Sequence, residues 1–529
     1  MKKIFNLIIG AFLCVSCGDF LHEYSQDLTY ANSCADLDEI LIGNGYMKQS
    51  DNLTLFYYGS DYGYYPYLHI MDDDSEESLT GQVFLDFAGN PVYYMRNFYA
   101  WAKNPFIGYN GSIFKDVDWK RMYEHIGYLN VIISYVKEFP SDPIEMRRRI
   151  KGEALFLRAG YYFMLVNLYA NPYSRETADR DPGVPLNLTE YIEAKYFARE
   201  SVATIYKQIV TDLQDAINNL EGIQQPTIYR ANEVSARTLL SRVYLYMGEW
   251  QLAINECNKI MELGCKLRDL NDFNPGNGVP GETERDYFNT SDSPEVFFTQ
   301  GSPTVGLLMD NNFGNVRYRV SDELYALYSK YESQGLEDLR KTCFLEQSRT
   351  SGESSNYYMR KSPDNQYANW NITLPKPTVF DSFILRAAEV YLNKAEAEAM
   401  LDQPEAANTL KALMDKRYAD HKYPSVDGLN GKSMIDFIRE ERRKELSFEG
   451  HRWFDLRRYA VSHKYPEKRS ISHAVYRSAT SYGEKAPLDR IYKLKPYGED
   501  NAWVLPIPPE ELVFNNGVLI DNPPREDRN

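Results

Sequence analysis

The chain has 529 residues and a formal net charge of −16, and its 43% hydrophobic and 25% charged residues are usual for a globular protein. The acidic balance argues against binding to a nucleic-acid backbone, because phosphate contacts need clustered lysine and arginine. Tyrosine is abundant, with 43 residues against 25 phenylalanines. Its apolar ring and polar hydroxyl suit positions that are partly exposed to solvent.

The first residues have the pattern of an export signal. A positive start, MKK, precedes an apolar run over 4–15 and then Ser16 and Cys17. The run is shorter than the roughly 20 residues that a membrane-spanning helix needs. A cysteine directly after a small residue resembles a bacterial lipoprotein cleavage site, which implies a signal segment over 1–17 and lipidation of Cys17. The alternative is an ordinary signal peptide that is cut nearby.

Helical periodicity predicts two zones in the first half of the chain. The helices predicted in the first zone cover 119–138, 144–169 and 201–220. Ser201 is the expected N-cap of the last one. The second zone covers 232–263, where Gly248 separates two helices that carry small residues at their contact. This pattern is typical of a tetratricopeptide helix pair.

A third zone repeats the same plan and completes a mainly all-α prediction. Its predicted helices cover 384–401, 404–418 and 434–459. The stretches 50–110 and 269–378 have a different character, since they are rich in Asn, Asp, Gly, Ser and Tyr and have little periodicity beyond 322–331. We expect them to be long loops on a helical scaffold, where binding residues concentrate.

These loop-rich stretches contain three aromatic clusters, which are the candidate ligand site. A flat ring covers the C–H face of a sugar, while amide groups satisfy its hydroxyls. The clusters lie in 57–67, 93–101 and 357–370, and the last two are followed by asparagine. The predicted ligand-binding residues are Tyr99, Trp101, Asn104, Tyr358, Trp370 and Asn371. The alternative, which we call the apron alternative, is that these rings pack against the loop-rich half and bind no ligand. The tyrosines over 57–67 are an example.

The charge-dense stretch 439–458 is interpreted as structural, and no catalytic residue is predicted. Its carboxylates Glu445, Glu449 and Asp455 are spaced by about one helical turn from other charges, so we expect them to pair with interleaved arginines at helix seams. The same interpretation covers the pairs Glu153 with Arg158 and Arg386 with Glu389. A catalytic carboxylate pair that meets only in space stays an open alternative.

No metal or cofactor site is predicted. The seven histidines are scattered and form no HExxH motif. Asp72-Asp73-Asp74, with Glu76 and Glu77, offers carboxylates for a calcium ion but lacks the glycine and alternation of an EF-hand loop. A solvated acidic turn is the favoured interpretation. Cys257 and Cys265 are expected to stay reduced.

Eight segments, in order along the chain, resemble the SusD/RagB family of Bacteroidetes outer-membrane lipoproteins. They are CGDFL from Cys17, GEALFLRAGYYFMLVNLYA, GVPL, SVATIYKQIVTDLQDAINNL, SDELYALYSKY with the following DLR, ILRAAEVYLNKAEAEAM, IREERRKELSFEGHRWFDLRRYA and LPIPPEEL. The sequence departs from the family at Tyr169-Ala170-Asn171, where Tyr-Gly is common.

The resemblance implies a fold, a partner and a ligand class. The fold is a right-handed superhelix of four tetratricopeptide-like helix pairs, with a variable loop-rich half packed against it. Its expected regions are 18–225 and 226–529, the latter including the loops 269–378. The partner is a SusC-like TonB-dependent barrel, over which the lipid-anchored protein acts as a lid at the cell surface. The ligand is a nutrient, most often an oligosaccharide. Peptide or glycoprotein capture by the same lid is the alternative, and a glycan-degrading enzyme is a third interpretation.

Overall fold

The structure, a computed structural model, describes nine stretches of the chain: 31–48, 63–78, 91–107, 117–276, 285–309, 318–347, 357–363, 379–477 and 486–528. Helices dominate these stretches, which confirms the predicted fold class. No helix in them is both long and apolar enough to cross a bilayer. Cys257 and Cys265 are free thiols.

The helices of the first half include a long central one. They are α1 (Cys34–Ile40), α2 (Pro91–Tyr99), α3 (Val117–Tyr135), α4 (Ile144–Tyr169), α5 (Val202–Leu220), α6 (Glu233–Met247) and α7 (Trp250–Glu262). From Gly152 onward α4 is buried on every side, and its charged side chains in this stretch, Glu153 and Arg158, are ion-paired. Successive helices from α3 to α7 pack against one another.

The second half alternates short elements with three longer helices. Its helices are α8 (Thr304–Met309), α9 (Asp322–Tyr328), α10 (Arg340–Phe344), α11 (Ala387–Met400), α12 (Glu405–Met414), α13 (Gly431–Leu446), α14 (Arg452–Ala460) and α15 (Pro509–Phe514). Helix α11 continues the helical stack, because it packs on α7, α12 and α13.

Short antiparallel strand pairs join the loop-rich parts to this stack. The strands are β1 (Ser75–Glu77), β2 (Val296–Gln300), β3 (Tyr318–Val320), β4 (Leu345–Gln347), β5 (Tyr357–Met359), β6 (Phe383–Arg386), β7 (Ile471–Tyr476) and β8 (Leu488–Leu494). The pairs in the described residues are β1–β3, β2–β6, β4–β5 and β7–β8. In the second of these, Gln300 lies opposite Phe383 and Val296 opposite Arg386.

Two predicted helix ends follow from local chemistry. The Ser201 side chain accepts a hydrogen bond from the Thr204 amide at 3.1 Å, as expected of an N-cap. Gly248 ends α6 with a φ of 72°, a conformation that costs glycine little. The predicted helix over 144–169 has the same bounds as α4.

Two predicted helices were wrong in part. The one over 384–401 begins as strand β6, because residues 383–386 pair with β2 instead of winding into a helical turn. The one over 434–459 is two helices, α13 and α14. Between them Phe448 has a φ of 58° and Gly450 a φ of 76°, and left-handed backbone of this kind ends a helix.

Candidate functional site

Tyr99 and Trp101, two of the predicted ligand-binding rings, are fully buried. Both stack on His473, with ring centroids 4.0 and 4.2 Å away. The Trp101 Nε1 donates to the Met71 carbonyl at 2.9 Å, and the Tyr99 hydroxyl accepts from the Glu77 amide at 3.0 Å. Their apolar faces and polar tips are therefore both satisfied inside the protein. This corrects the expectation of a surface platform, because neither ring has a face free for a sugar.

The other predicted ligand-binding residues have different positions. Tyr358 is buried on β5, and the Arg360 guanidinium lies 5.1 Å from its ring centroid. The Asn104 side chain is exposed, so its role stays a prediction. Trp370, Asn371 and Cys17 lie outside the described residues and also stay predictions.

The described part of the 57–67 cluster is packed, in agreement with the apron alternative. Tyr64, Tyr65 and Tyr67 are each about 1% exposed. Tyr67 stacks on Phe98 with centroids 4.5 Å apart. These rings therefore support the loop-rich half from inside.

The carboxylates of α13 lie in a buried arginine network, as the structural interpretation expects. Glu445 accepts hydrogen bonds from Arg386 at 2.7 Å, Arg417 at 2.9 Å and Arg340 at 3.3 Å, and all four side chains are buried. Burial alone would raise the pKa of Glu445, but the three guanidinium charges outweigh it and hold that pKa well below its usual value. Glu445 is therefore ionised and has no proton to donate to a substrate.

Some expected pairings were wrong, although the residues are ion-paired. Glu153 pairs with Arg149 and Arg230 rather than with Arg158. Arg158 instead pairs with Asp212 at 2.7 Å. Likewise, Arg386 pairs with carboxylates of and just after α13, while its expected partner Glu389 pairs with Arg242. The partners differ from the expected ones because Glu153 and Arg158, like Arg386 and Glu389, point into separate seams, where other charged side chains lie closer.

The acidic triplet Asp72-Asp73-Asp74 is not a solvated turn, which corrects that expectation. Asp73 accepts two hydrogen bonds from Arg452, at 2.6 and 2.8 Å, and one from Arg469 at 2.7 Å. Asp74, almost wholly buried, pairs with Arg443 at 2.7 Å. Their carboxylate oxygens are close enough together for a metal ion, but the guanidinium groups already supply the compensating positive charge.

A small recess beside the loop-rich segments has two shifted charged groups. Burial raises the pKa of Asp381 to about 6 and lowers that of Lys361 to about 8. The ammonium group of Lys361 uses its three donors on the Glu445 and Ser447 carbonyls and on Glu449, at 2.7 to 2.9 Å. The recess encloses about 40 Å³, room for a few water molecules but not for a sugar ring.

A wider, shallow and open surface groove, which we call the tyrosine groove, has a volume of about 590 Å³. It lies where the chain after α7 passes beside α11 and α12. Its lining residues are Lys266, Leu267, Tyr391, Asn408, Lys411, Ala412, Asp415, Lys416 and Tyr423. Tyr391 and Tyr423 are half-buried, each packing on the apolar cluster beneath α11 and α12. The exposed amide of Asn408 lies in the same groove.

The rim of the tyrosine groove alternates hydrogen-bond donors and acceptors. Lys416 donates to Asp269 at 2.9 Å and lies 3.1 Å from Asp415. Lys411 donates to Asp427 at 2.6 Å. Such half-exposed ion pairs are worth little and can exchange partners with ligand hydroxyls. The groove thus offers rings for an apolar face and both kinds of hydrogen-bonding group for a polar edge.

Sequence reasoning missed this groove because its residues come from three separated segments between 266 and 423. The two tyrosines lie 32 positions apart, so no local aromatic cluster marks them. The sequence did contain one signal for a binding site. Two tyrosines lie near the predicted helix α12, and that helix carries Asn408 and Lys411 one turn apart.

Two family models match the chain. Residues 277–524 match the SusD family model, and residues 75–245 match a SusD-like model described as starch-binding and associating with the outer membrane. The chain belongs to the SusD/RagB family.

Relatives of this SusD/RagB protein match over most of their length. The SusD-like protein P25 of Formosa agariphila is 24% identical over 506 residues, which cover 87% of this chain and 90% of the relative. Among solved structures, a SusD superfamily protein from Bacteroides thetaiotaomicron has a TM-score of 0.66 at 21% identity, covering 93% of this chain and 100% of that one. A laminarin-binding SusD-like protein has a TM-score of 0.59 at 20% identity, covering 92% and 99%. These structural likenesses concern the fold.

Proposed function

We propose that this SusD/RagB protein binds an oligosaccharide at the cell surface and passes it unchanged to a SusC-like TonB-dependent transporter. The tyrosine groove is the observation that carries the proposal. Its half-buried rings at Tyr391 and Tyr423 suit the C–H face of a sugar, and its mixed polar rim suits the hydroxyls. The family description as starch-binding and the laminarin-binding relative support the same ligand class.

The groove favours a neutral glycan that is held weakly. Two of its three lysines are matched by carboxylates, in the pairs of Lys416 with Asp269 and Lys411 with Asp427. Half-exposed rings in an open groove leave much of the ligand in water, which favours fast release. A protein that hands its ligand to a transporter needs this property.

The rest of the proposal concerns attachment. Lipidation at Cys17 would hold the protein on the outer membrane, since two acyl chains give a stable anchor. The buried carboxylates of α13 are ionised and ion-paired, which supports binding without hydrolysis. Peptide or glycoprotein capture is the alternative ligand class.

Isothermal titration with laminarin, starch and a panel of plant, host and microbial glycans tests the ligand class. We expect at least one glycan to bind, and Tyr391→Ala and Tyr423→Ala each to weaken its binding by about tenfold, or about 1.4 kcal/mol. Tyr331→Ala is the matched control, because Tyr331 is also half-buried but lies outside the groove. Binding of peptides and of no glycan would contradict the proposal.

Trp370→Ala distinguishes the groove from the loop site that the sequence predicts. If Trp370→Ala abolishes glycan binding while both groove variants bind like the wild type, the site belongs to Trp370 and Asn371 rather than to the groove. If all three variants bind like the wild type, both proposed sites are wrong.

A further inference from the structure

One surface of the described chain collects its most exposed apolar side chains. Val513, Phe514, Ile192 and Ile520 are 81%, 73%, 71% and 71% exposed, and no other large apolar side chain in the described stretches is as exposed. They come from the segments 186–200 and 508–522, which also expose Tyr191 and Tyr196. We call the surface formed by these six residues the apolar patch.

The two segments of the apolar patch are clamped together. The Phe197 amide donates to the Asn515 side chain at 3.1 Å. The Arg199 guanidinium donates to the Ile520 carbonyl at 3.2 Å and to the Asn522 side chain at 2.9 Å. The exposed apolar side chains of the two segments therefore lie on neighbouring parts of the protein surface.

The clamp is also fixed to the scaffold. Arg199 donates to the Tyr169 carbonyl at 3.1 Å, and the Asn522 side-chain Nδ2 donates to the same oxygen at 2.8 Å. Tyr169 is the last residue of α4, the central buried helix. The patch is thus held in place before any partner binds, which lowers the entropy that binding costs. Clustered, rigid and solvent-exposed apolar side chains mark an interaction surface.

The charges around the patch identify the kind of partner. Segments 186–200 and 508–522 contain six acidic residues and two basic ones. Lys195 pairs with Glu193, and Arg199 is engaged in the clamp. This acidic border repels anionic lipid headgroups and equally a second copy of the same surface. It suits a different protein whose docking face is apolar with a border of lysine and arginine.

We infer that the apolar patch is the surface on which a protein partner with a basic-rimmed apolar face docks. Phe514 and the two tyrosines are the expected energetic centre, since aromatic residues dominate interface cores. The identity of this partner rests on the proposed function, under which it is the TonB-dependent transporter.

Co-purification tests the surface. The full-length chain is co-expressed with a SusC-like TonB-dependent barrel from the same organism, the barrel is captured by an affinity tag, and the bound chain is quantified. We expect Phe514→Asp and Ile192→Asp each to reduce the bound amount at least tenfold, and Glu510→Lys to reduce it less. Ile491→Asp is the matched control, because Ile491 is 60% exposed on β8, outside the patch segments. Thermal unfolding checks that each variant is folded.

The outcomes separate the surface from the proposed function. Co-purification that Phe514→Asp and Ile192→Asp leave intact overturns the surface but not the transporter. A wild-type chain that fails to co-purify contradicts the transporter as partner and overturns the inference with it, while glycan titration still tests ligand binding. Binding of the Cys17→Ala chain to phosphatidylglycerol vesicles, or a wild-type dimer that Phe514→Asp dissociates, would assign the patch to a membrane or to a second copy and also overturn it.

Discussion

Individual side chains explain why aromatic residues of the loop-rich half are buried. The example is a stack formed by Trp101, His473 and Tyr99. The imidazole lies between the two aromatic rings, and its nitrogens are 2.8 Å from the Tyr99 and Asp72 carbonyl oxygens. Stacking, together with the hydrogen bonds of Trp101 to Met71 and of Tyr99 to Glu77, makes burial more favourable than exposure for these two rings. The aromatic cluster that the sequence suggests as a sugar-binding surface is therefore part of the protein core.

Replacing Trp101 with alanine tests this structural role. The change removes a fully buried ring and its hydrogen bond to Met71, so we expect the free energy of unfolding to fall by about 3–5 kcal/mol. Trp101→Phe keeps a ring and should lose less. Urea unfolding measures both. Lost glycan affinity with unchanged stability would instead return Trp101 to the ligand site.

His125 makes stability depend on pH. Its Nδ1 lies 2.5 Å from the Asn44 carbonyl and its Nε2 lies 3.3 Å from the Tyr64 hydroxyl, which suits a neutral ring. Burial lowers the pKa of His125 to about 4, against about 6.5 in an unfolded chain. Between these values the unfolded state binds more protons, so the contribution of His125 is fully present above pH 6.5 and is lost as the pH falls toward 4.

The difference in stability between the wild type and His125→Gln should therefore become smaller at acidic pH. We expect the wild type to be more stable than the variant at pH 7, and the difference to shrink by about 2 kcal/mol at pH 4.5. Denaturant unfolding at both pH values measures this. An equal difference at pH 7 and pH 4.5 would contradict the neutral, buried assignment.

Among the elements, α13 is held by charges rather than by an apolar face alone. Glu441 and Glu445 are wholly buried, yet each meets guanidinium groups, including that of Arg340. Removing one partner of a buried ion pair leaves an uncompensated charge, which is far more costly than losing a surface pair.

Glu445→Gln tests the weight of this network. We expect the free energy of unfolding to fall by about 3–5 kcal/mol, because three buried arginines lose a shared carboxylate. Glu440→Gln is the control on the same helix. Glu440 pairs with the half-exposed Lys330, so its loss should be below about 1 kcal/mol. Equal losses in chemical denaturation would contradict a structural role for the network.

Helix ends could be predicted where one residue determines them, as at Ser201 and Gly248. The break between α13 and α14 could not, because Phe448 adopts a left-handed conformation that only its surroundings stabilise. Strand β6 was also missed, since its pairing partner β2 lies more than 80 residues earlier in the chain. Long-range pairing leaves no local pattern.

At the scale of the whole molecule, α4 joins both ends of the described chain. Near its start, Arg149 pairs with Asp38 of α1 at 2.7 Å. Near its end, the Leu505 amide donates to the Leu168 carbonyl at 3.0 Å. The expected boundary between 225 and 226 therefore crosses a continuous interior, and Glu153 meets Arg230 across it.

Expressing residues 226–529 alone tests that boundary. We expect no cooperative unfolding transition, because the fragment loses the buried surface of α4 and leaves Arg457 without the Asn167 and Ala170 carbonyls that accept its hydrogen bonds. Near-UV circular dichroism and thermal melting measure this. A sharp transition with native-like near-UV signals would establish 226–529 as an independent domain.

The sequence by itself determined the mainly helical fold, several helix ends and the membership of the SusD/RagB family, because these depend on local periodicity, capping and ordered motifs. Only the tertiary structure decided which rings are buried, which arginine meets which carboxylate and where a groove opens. The physical reason is that exposure and pairing depend on neighbours distant in the chain. A ring at Trp101 and a ring at Tyr391 are similar in sequence, and only packing makes one a core residue and the other the wall of a groove.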